Sequence, residues 1–230
     1  MNGANDKFHG PPPEPLFYAD FSSWLLKDEH REQIESHLRK YFEPKSSKTV
    51  WHGQHFEWFA ARINRSQITE IDIAAIGTLS VRLPAQTTRE LIEDQSGRLK
   101  TCLEACEEWL SRFGEDFSIT QDDSSWLEND QPFNILYREL RRKERYGLGS
   151  VVASKLMAAR YPRLIPIRDS RVEGLLGMKT SVNWWAPMRE LAIQVDPILS
   201  SLKVNRDDIE VTNLRKLDVI LWMEATERGF

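Results

Sequence analysis

The sequence predicts an all-α protein: a compact, mainly helical domain over residues 16–230 behind a flexible, Pro-rich N-terminal arm at residues 1–15. Three observations carry that reading. Apolar residues recur at intervals of three and four, the spacing of one helix face, and stretches that alternate like strands are few. Ser, Thr, Asp or Asn stands ahead of most of these runs, where a side-chain oxygen can accept from the free amides of a first helical turn. Turn signals separate the runs every 10 to 20 residues, and no internal repeat is present.

The arm is polar and ends in "GPPPEP". Ser22 and Ser23 are placed to cap a helix through "WLLKDEHREQIESHLRKYF", whose Ile34, Leu38 and Phe42 are four apart on one face. "EPKSSK" breaks it. "TVWHGQHFEWFA" fits a strand or a helix entry, and the reading taken is a turn followed by a helix from about His55. Thr69 with Asp72, and Thr87 with Glu90, each resemble a capping box. Residues 97–113 read as a helix with Leu99, Leu103, Cys106 and Leu110 on one side, followed by the acidic loop "GEDFSITQDDSSWLENDQP".

From Phe133 a helix is expected to about Arg145, where Gly147 and Gly149 break it. A shorter helix runs from Ser150 to Arg160 and is stopped by Pro162 and Pro166. Asp169 then takes an N-cap position ahead of "SRVEGLL", with Gly177 as the stop. Asn183 is placed to cap "WWAPMRELAIQV", where Pro187 is tolerated in the first turn, and Thr212 to cap "NLRKLDVILWMEATERG".

Composition excludes several classes. No run of 18 apolar residues exists and the N-terminus lacks a signal-peptide core, so a soluble cytoplasmic protein with no membrane partner is expected. Cys102 and Cys106, four apart, read as small apolar residues of one helix face, without metal or cluster spacing. His52 and His55 in "HGQH" lack a third ligand, so neither a metal nor any other cofactor is expected. Walker, dinucleotide and nucleophile-elbow motifs are absent. Net charge is −4, yet Arg138 to Arg171 holds ten Lys/Arg against three Asp/Glu, a local +7 that leaves −11 elsewhere. Such a basic segment on an acidic body suits a local anion site.

That segment includes "RRKERYGLGSVVASKLMAARYPRLIPIRDSRV", residues 141–172. A helix, a Gly-Leu-Gly turn and a second helix form a compact unit over about residues 134–160. The glycines permit positive φ and close approach of backbone to a ligand. Free amides near Gly149 to Val151, with the helix dipole, suit a phosphate oxygen. Arg141, Arg142, Lys143 and Arg145 precede the turn and Lys155 follows it, so the unit is fitted to grip a DNA backbone without reading sequence.

From Tyr146 to Val172 the chain resembles the helix-hairpin-helix DNA glycosylase superfamily. There a Gly-hydrophobic-Gly hairpin leads to a small-residue helix containing Ala, then a turn with Pro, then an aspartate that opens the next helix. Here these are Gly147-Leu148-Gly149, Ala153, "RLIPIRD" and Asp169, at close to the family's spacing. The chain departs from the family at Arg145-Tyr146, where Leu-Pro is usual, and at Arg168, where a hydrophobic residue usually precedes the aspartate. The nucleophilic lysine of lyase-competent members falls at about Val151, which removes that chemistry. From roughly Lys48 onwards the sequence also resembles a mostly actinobacterial family known only as a domain of unknown function.

The resemblance implies DNA binding through Gly147, Gly149, Ser150, Val151, Arg142 and Lys155, with Asp169 as the catalytic group. A carboxylate near the anomeric carbon stabilises the positive charge that builds as an N-glycosidic bond breaks, and positions water. Trp184-Trp185 could face an extruded base. A plainer reading stands beside each of these. Asp169 serves equally as a helix cap, Gly-Leu-Gly as a helical corner, "RRKER" as a solvated face and the two tryptophans as core. The alternative function is a non-enzymatic nucleic-acid-binding or protein-interaction module of the same fold.

Overall fold

The structure, a computed structural model, describes residues 18–43, 52–114, 116–178, 184–204, 206 and 209–230. Eleven α-helices and no strand form among them. The N-terminal arm and the expected Asn183 cap lie outside these residues.

Helix α1 spans Tyr18–Leu25 and α2 spans Arg31–Phe42, with a 3-10 turn at Asp28–His30 between them. Ser22 and Ser23 therefore lie inside α1 and not ahead of it. The single helix expected there breaks at Leu26–Lys27, where the chain turns so that Phe21, Leu25, Ile34 and Leu38 share one core. "HGQH" forms a 3-10 turn leading into α3 (Phe56–Ala60), as the turn-then-helix reading expects.

Helix α4 (Glu70–Thr78) opens on the capping box expected from Thr69 and Asp72. Asp72 Oδ2 accepts from the Thr69 amide at 2.9 Å and the Thr69 hydroxyl at 3.1 Å. Helix α5 (Ala85–Glu93) starts two residues ahead of Thr87, with Pro84 in the cap position, so Thr87 and Glu90 are interior residues. Pro fixes its own φ and donates no amide, which suits a helix entry better than the Thr–Glu pair inside it. Helix α6 covers Arg98–Ser111.

Helix α7 (Pro132–Leu140) ends five residues before the expected Arg145. Glu139, Arg142 and Arg145 turn the chain through successive short-range amide bonds, and the Leu148 amide returns to the Leu140 carbonyl at 3.2 Å. Gly147 takes the left-handed conformation at φ 57°, while Gly149 is an extended N-cap at φ −65°. Only the first glycine of the pair uses the freedom that Gly alone has.

Helix α8 (Ser150–Arg160) has the expected bounds and is buried from Ala153 to Arg160 around its whole circumference. Ala153, Ala158 and Ala159 let neighbouring helices approach, while burial of Leu156 alone is worth about 1.5–3 kcal/mol. Its C-terminal Arg160 pairs with buried Asp72 at 2.6 Å and donates to the carbonyls of Asn64, Arg65 and Gln67. Helices α4 and α8 are thereby locked together with the loop that precedes α4.

Helix α9 (Ser170–Leu175) is capped by Asp169 and stopped near Gly177, φ 62°. Helix α10 (Trp185–Ser201) carries Pro187 in its first turn and continues through Pro197. Thr212 caps α11 (Asn213–Arg228), its hydroxyl accepting from the Arg215 amide at 3.1 Å. Helix α11 is buried on nearly all sides, packing on α2, α9 and α10, while α8 packs on α3, α4 and α7. One apolar cluster of buried residues runs from Phe21 to Ala225. The charged groups that α8 and α11 carry into it define the site.

Candidate functional site

Asp169 is held by two donors. As N-cap it accepts the Arg171 amide on Oδ1 at 3.0 Å, and on Oδ2 it accepts Lys155 Nζ at 3.1 Å. Lys155 projects from the middle of α8 and also donates to the Leu79 carbonyl at 3.1 Å. Leu79 is the C-cap of α4, so the ammonium sits at the negative end of a helix dipole. The next residue, Ser80, lies at φ 63°, a conformation that costs a non-Gly residue on the order of 1–3 kcal/mol. Three helix positions thus meet at one ion pair: an α4 C-terminus, an α8 midpoint and an α9 N-terminus.

A second cluster stands beside the first. Arg215, in the first turn of α11, is 5% exposed and makes ion pairs with Glu57 and Asp218. Its Nη2 donates to the Tyr41 hydroxyl at 2.8 Å and to the Gly53 carbonyl at 2.9 Å. Burial pushes the Tyr41 phenol up to about 12, against the opposing pull of Arg215. Burial also raises the Asp218 carboxyl to about 6; Arg215 pulls it back down and the charge of Asp169 adds to the rise. The surrounding carboxylates and Tyr41 hold Arg215 well above its usual range despite its burial.

The two clusters open onto one cavity of about 590 Å3, walled by Lys155, Asp169, Arg215, Asp218 and the aromatic rings of Tyr41 and Trp222. That volume falls within the roughly 300–1,000 Å3 of small-molecule sites. The two rings meet edge to face, centroids 6.1 Å apart. The arrangement offers a fixed carboxylate, a second carboxyl with a raised proton affinity, and flat apolar walls.

The residues singled out in the sequence divide between this cavity and the hairpin. Asp169 and Lys155 come together in the cavity. Lys155 is buried and its amine is taken up internally, so it is a cavity residue and not part of the hairpin's outer face. Gly147, Gly149, Ser150, Val151 and Arg142 do not line the cavity. Gly147 and Gly149 are exposed, and Arg142 is half exposed with Glu139 at 3.4 Å. Arg145 is drawn to Glu139 and to the Ser96 hydroxyl, which uses part of the basic run inside the protein.

Trp184 and Trp185 are both buried, the latter against Trp126 and Tyr137, and neither lines the cavity. The aromatic rings on the cavity wall are those of Tyr41 and Trp222. His55 is exposed and bonds to Gln54, while the His52 side chain lies outside the described residues. Cys102 and Cys106 are free thiols, both pushed up by burial. Tyr41, Glu57, Arg215, Asp218 and Trp222 were not foreseen. The sequence did carry one signal for two of them: Arg215 and Asp218, three apart, put opposite charges on one face of the last helix.

The fold and site define an all-α protein with a charged, aromatic-walled cavity between its two central helices and a separate Gly-Leu-Gly helical turn. A family model described as a family of unknown function (DUF6308) matches residues 34–225, and the chain belongs to that family. No curated protein and no solved structure matches it. No described helix is long and apolar enough to cross a membrane.

Proposed function

We propose that the protein acts on DNA as a base-excision enzyme of the helix-hairpin-helix glycosylase type, hydrolysing an N-glycosidic bond in the Asp169 cavity. One observation carries the reading: a carboxylate with both oxygens held in place stands on the wall of a cavity large enough for an extruded base and its sugar. Positive charge builds on the sugar as the bond breaks. A carboxylate already oriented by Lys155 and the Arg171 amide meets that charge without reorganising. Lys155 is a positioning residue in this scheme. Tyr41 and Trp222 offer flat surfaces to the base.

The DNA backbone falls to the hairpin. Ser150 and Val151 open α8 behind an exposed glycine N-cap, so their amides are available to a phosphate oxygen. Gly147 and Gly149 let the strand approach, and Arg142 supplies charge at the rim.

The test is base release from a panel of damaged and modified duplex and single-stranded DNAs, with wild type beside Asp169→Asn. Abasic sites from wild type and a loss of about 100-fold or more in the variant are expected. Equal release by both proteins removes Asp169 from the chemistry. The second reading is a non-enzymatic DNA-binding module, favoured by the hairpin turn's absence from the cavity wall. No release together with retained DNA binding selects it. In either case Arg142→Ala should lower the salt slope of binding by about one, if that side chain contacts phosphate.

A further inference from the structure

Asp218 is a cavity-wall carboxyl with one oxygen that no donor engages among the described residues. Lys155 is committed to Leu79 and Asp169, and Asp169 has a donor on each oxygen. Arg215 is committed to Glu57, Asp218, Tyr41 and Gly53. Asp218 accepts Arg215 through Oδ2 alone. Its Oδ1 has no donor among the described residues, yet it is not one of the sealed, unpartnered buried atoms. The residue is 7% exposed and is part of the cavity wall. Arg215 and Asp218 are three apart on α11, so pairing with Arg215 fixes the carboxyl on the cavity-facing side.

We infer that Asp218 is the proton donor to the departing base, opposite the carboxylate role of Asp169. The inference rests on the glycosidic-bond reading above. The C1′–N bond breaks and its electron pair passes to the base nitrogen, which takes the Asp218 proton. Asp169 stabilises the cation left at C1′. Water adds to C1′ and its proton returns to Asp218, so one water is consumed and a free base and an abasic site are formed. No further co-reactant is needed.

The surroundings suit the task. Burial holds the carboxyl up at about 6 against the pull of Arg215, so a minor fraction keeps its proton at neutral pH and that fraction grows as pH falls. The charges that act on it are Arg215 on its own helix, Asp169 at α9 and Lys155 from α8; Tyr41 from α2 and Arg171 at α9 share the cavity wall, and Glu57 from α3 pairs with Arg215. Tyr41, pushed up to about 12, is a far weaker donor.

The experiment compares two purines at one position of the same duplex under single-turnover conditions, with the full chain. Hypoxanthine is neutral and benefits from a proton as it leaves. 7-Methylguanine already carries positive charge and leaves without one. Asp218→Asn should lower the ratio of hypoxanthine to 7-methylguanine release by about 100-fold, whereas Asp169→Asn should lower both and leave the ratio near its wild-type value. An unchanged ratio in Asp218→Asn, with wild type active, overturns the donor role and leaves the glycosidic-bond reading standing. If wild type releases neither base, the glycosidic reading of this cavity fails for purines and the donor role falls with it. Should Asp218→Asn not fold, the wild-type pH profiles decide. Hypoxanthine release should decline as pH rises past about 6 while 7-methylguanine release does not, and parallel profiles reject the assignment.

Discussion

Gly53 has no room for a side chain. A Cβ there would lie 2.1 Å from the Tyr41 hydroxyl oxygen and 3.3 Å from the Leu79 side chain. Its own carbonyl accepts from Arg215, so the backbone cannot retreat without loosening that guanidinium. The Tyr41 hydroxyl is fixed by the same Arg215. Gly53→Ala should therefore destabilise the fold by about 1–3 kcal/mol, the usual cost of overpacking. Tyr41→Phe removes the clashing oxygen together with one hydrogen bond, which alone costs about 0.5–1.5 kcal/mol. In the double variant the alanine should cost clearly less than in the wild-type background. Urea melts of the four proteins give the coupling, and strict additivity would show that the Tyr41 hydroxyl is not what excludes the side chain.

At the scale of elements, the fold hangs on the polar anchors that join one helix to another. Asp72 serves two at once, as the capping-box acid of α4 and as the partner of buried Arg160 on α8. Thr69→Ala should cost about 1 kcal/mol, the price of a cap. Asp72→Ala also strands a buried guanidinium and should cost about 3–5 kcal/mol. Thermal denaturation of the pair checks this: equal losses would mean that the Arg160 contact contributes nothing. The same elements show what the sequence makes legible. Where a start is written in one side chain, as at Thr69, Asp169 and Thr212, the expected caps are found. Ser22, Ser23 and Thr87 have the right chemistry but lie within helices, because packing of α1 and the entry at Pro84 set those boundaries. The site is legible to a similar depth. Asp169 is reached from its distance to the hairpin, and Lys155, expected as a phosphate contact, pairs with it on the cavity wall. Glu57, 158 residues from Arg215 in the chain, meets it only in the folded protein, a pairing that no local period records.

For the whole molecule, the cavity acids tie stability to pH. Burial holds the Asp218 carboxyl up at about 6 in the fold, against about 4 for an ordinary aspartate in the unfolded chain. Between those values the folded state binds the extra proton, so stability falls as pH rises. The contribution is fully present below about 4 and is lost as pH passes through about 6, on the order of 2–3 kcal/mol from the size of the shift. Glu224 works in the opposite sense. Its carboxyl is held below its usual value by His37 and Arg228 against the burial that raises it, so its contribution is present above about 4.5 and fades in stronger acid. The two effects separate by variant. Asp218→Asn keeps the shape of the acid form but cannot ionise. Its stability relative to wild type should rise between pH 4 and pH 6 and be flat on either side, and urea midpoints for both proteins across that range measure the difference. A flat difference throughout would mean that Asp218 keeps an ordinary carboxylate affinity in the fold. The proton held for a departing base would then be missing, and the cavity would be left with Asp169 as its single working acid group.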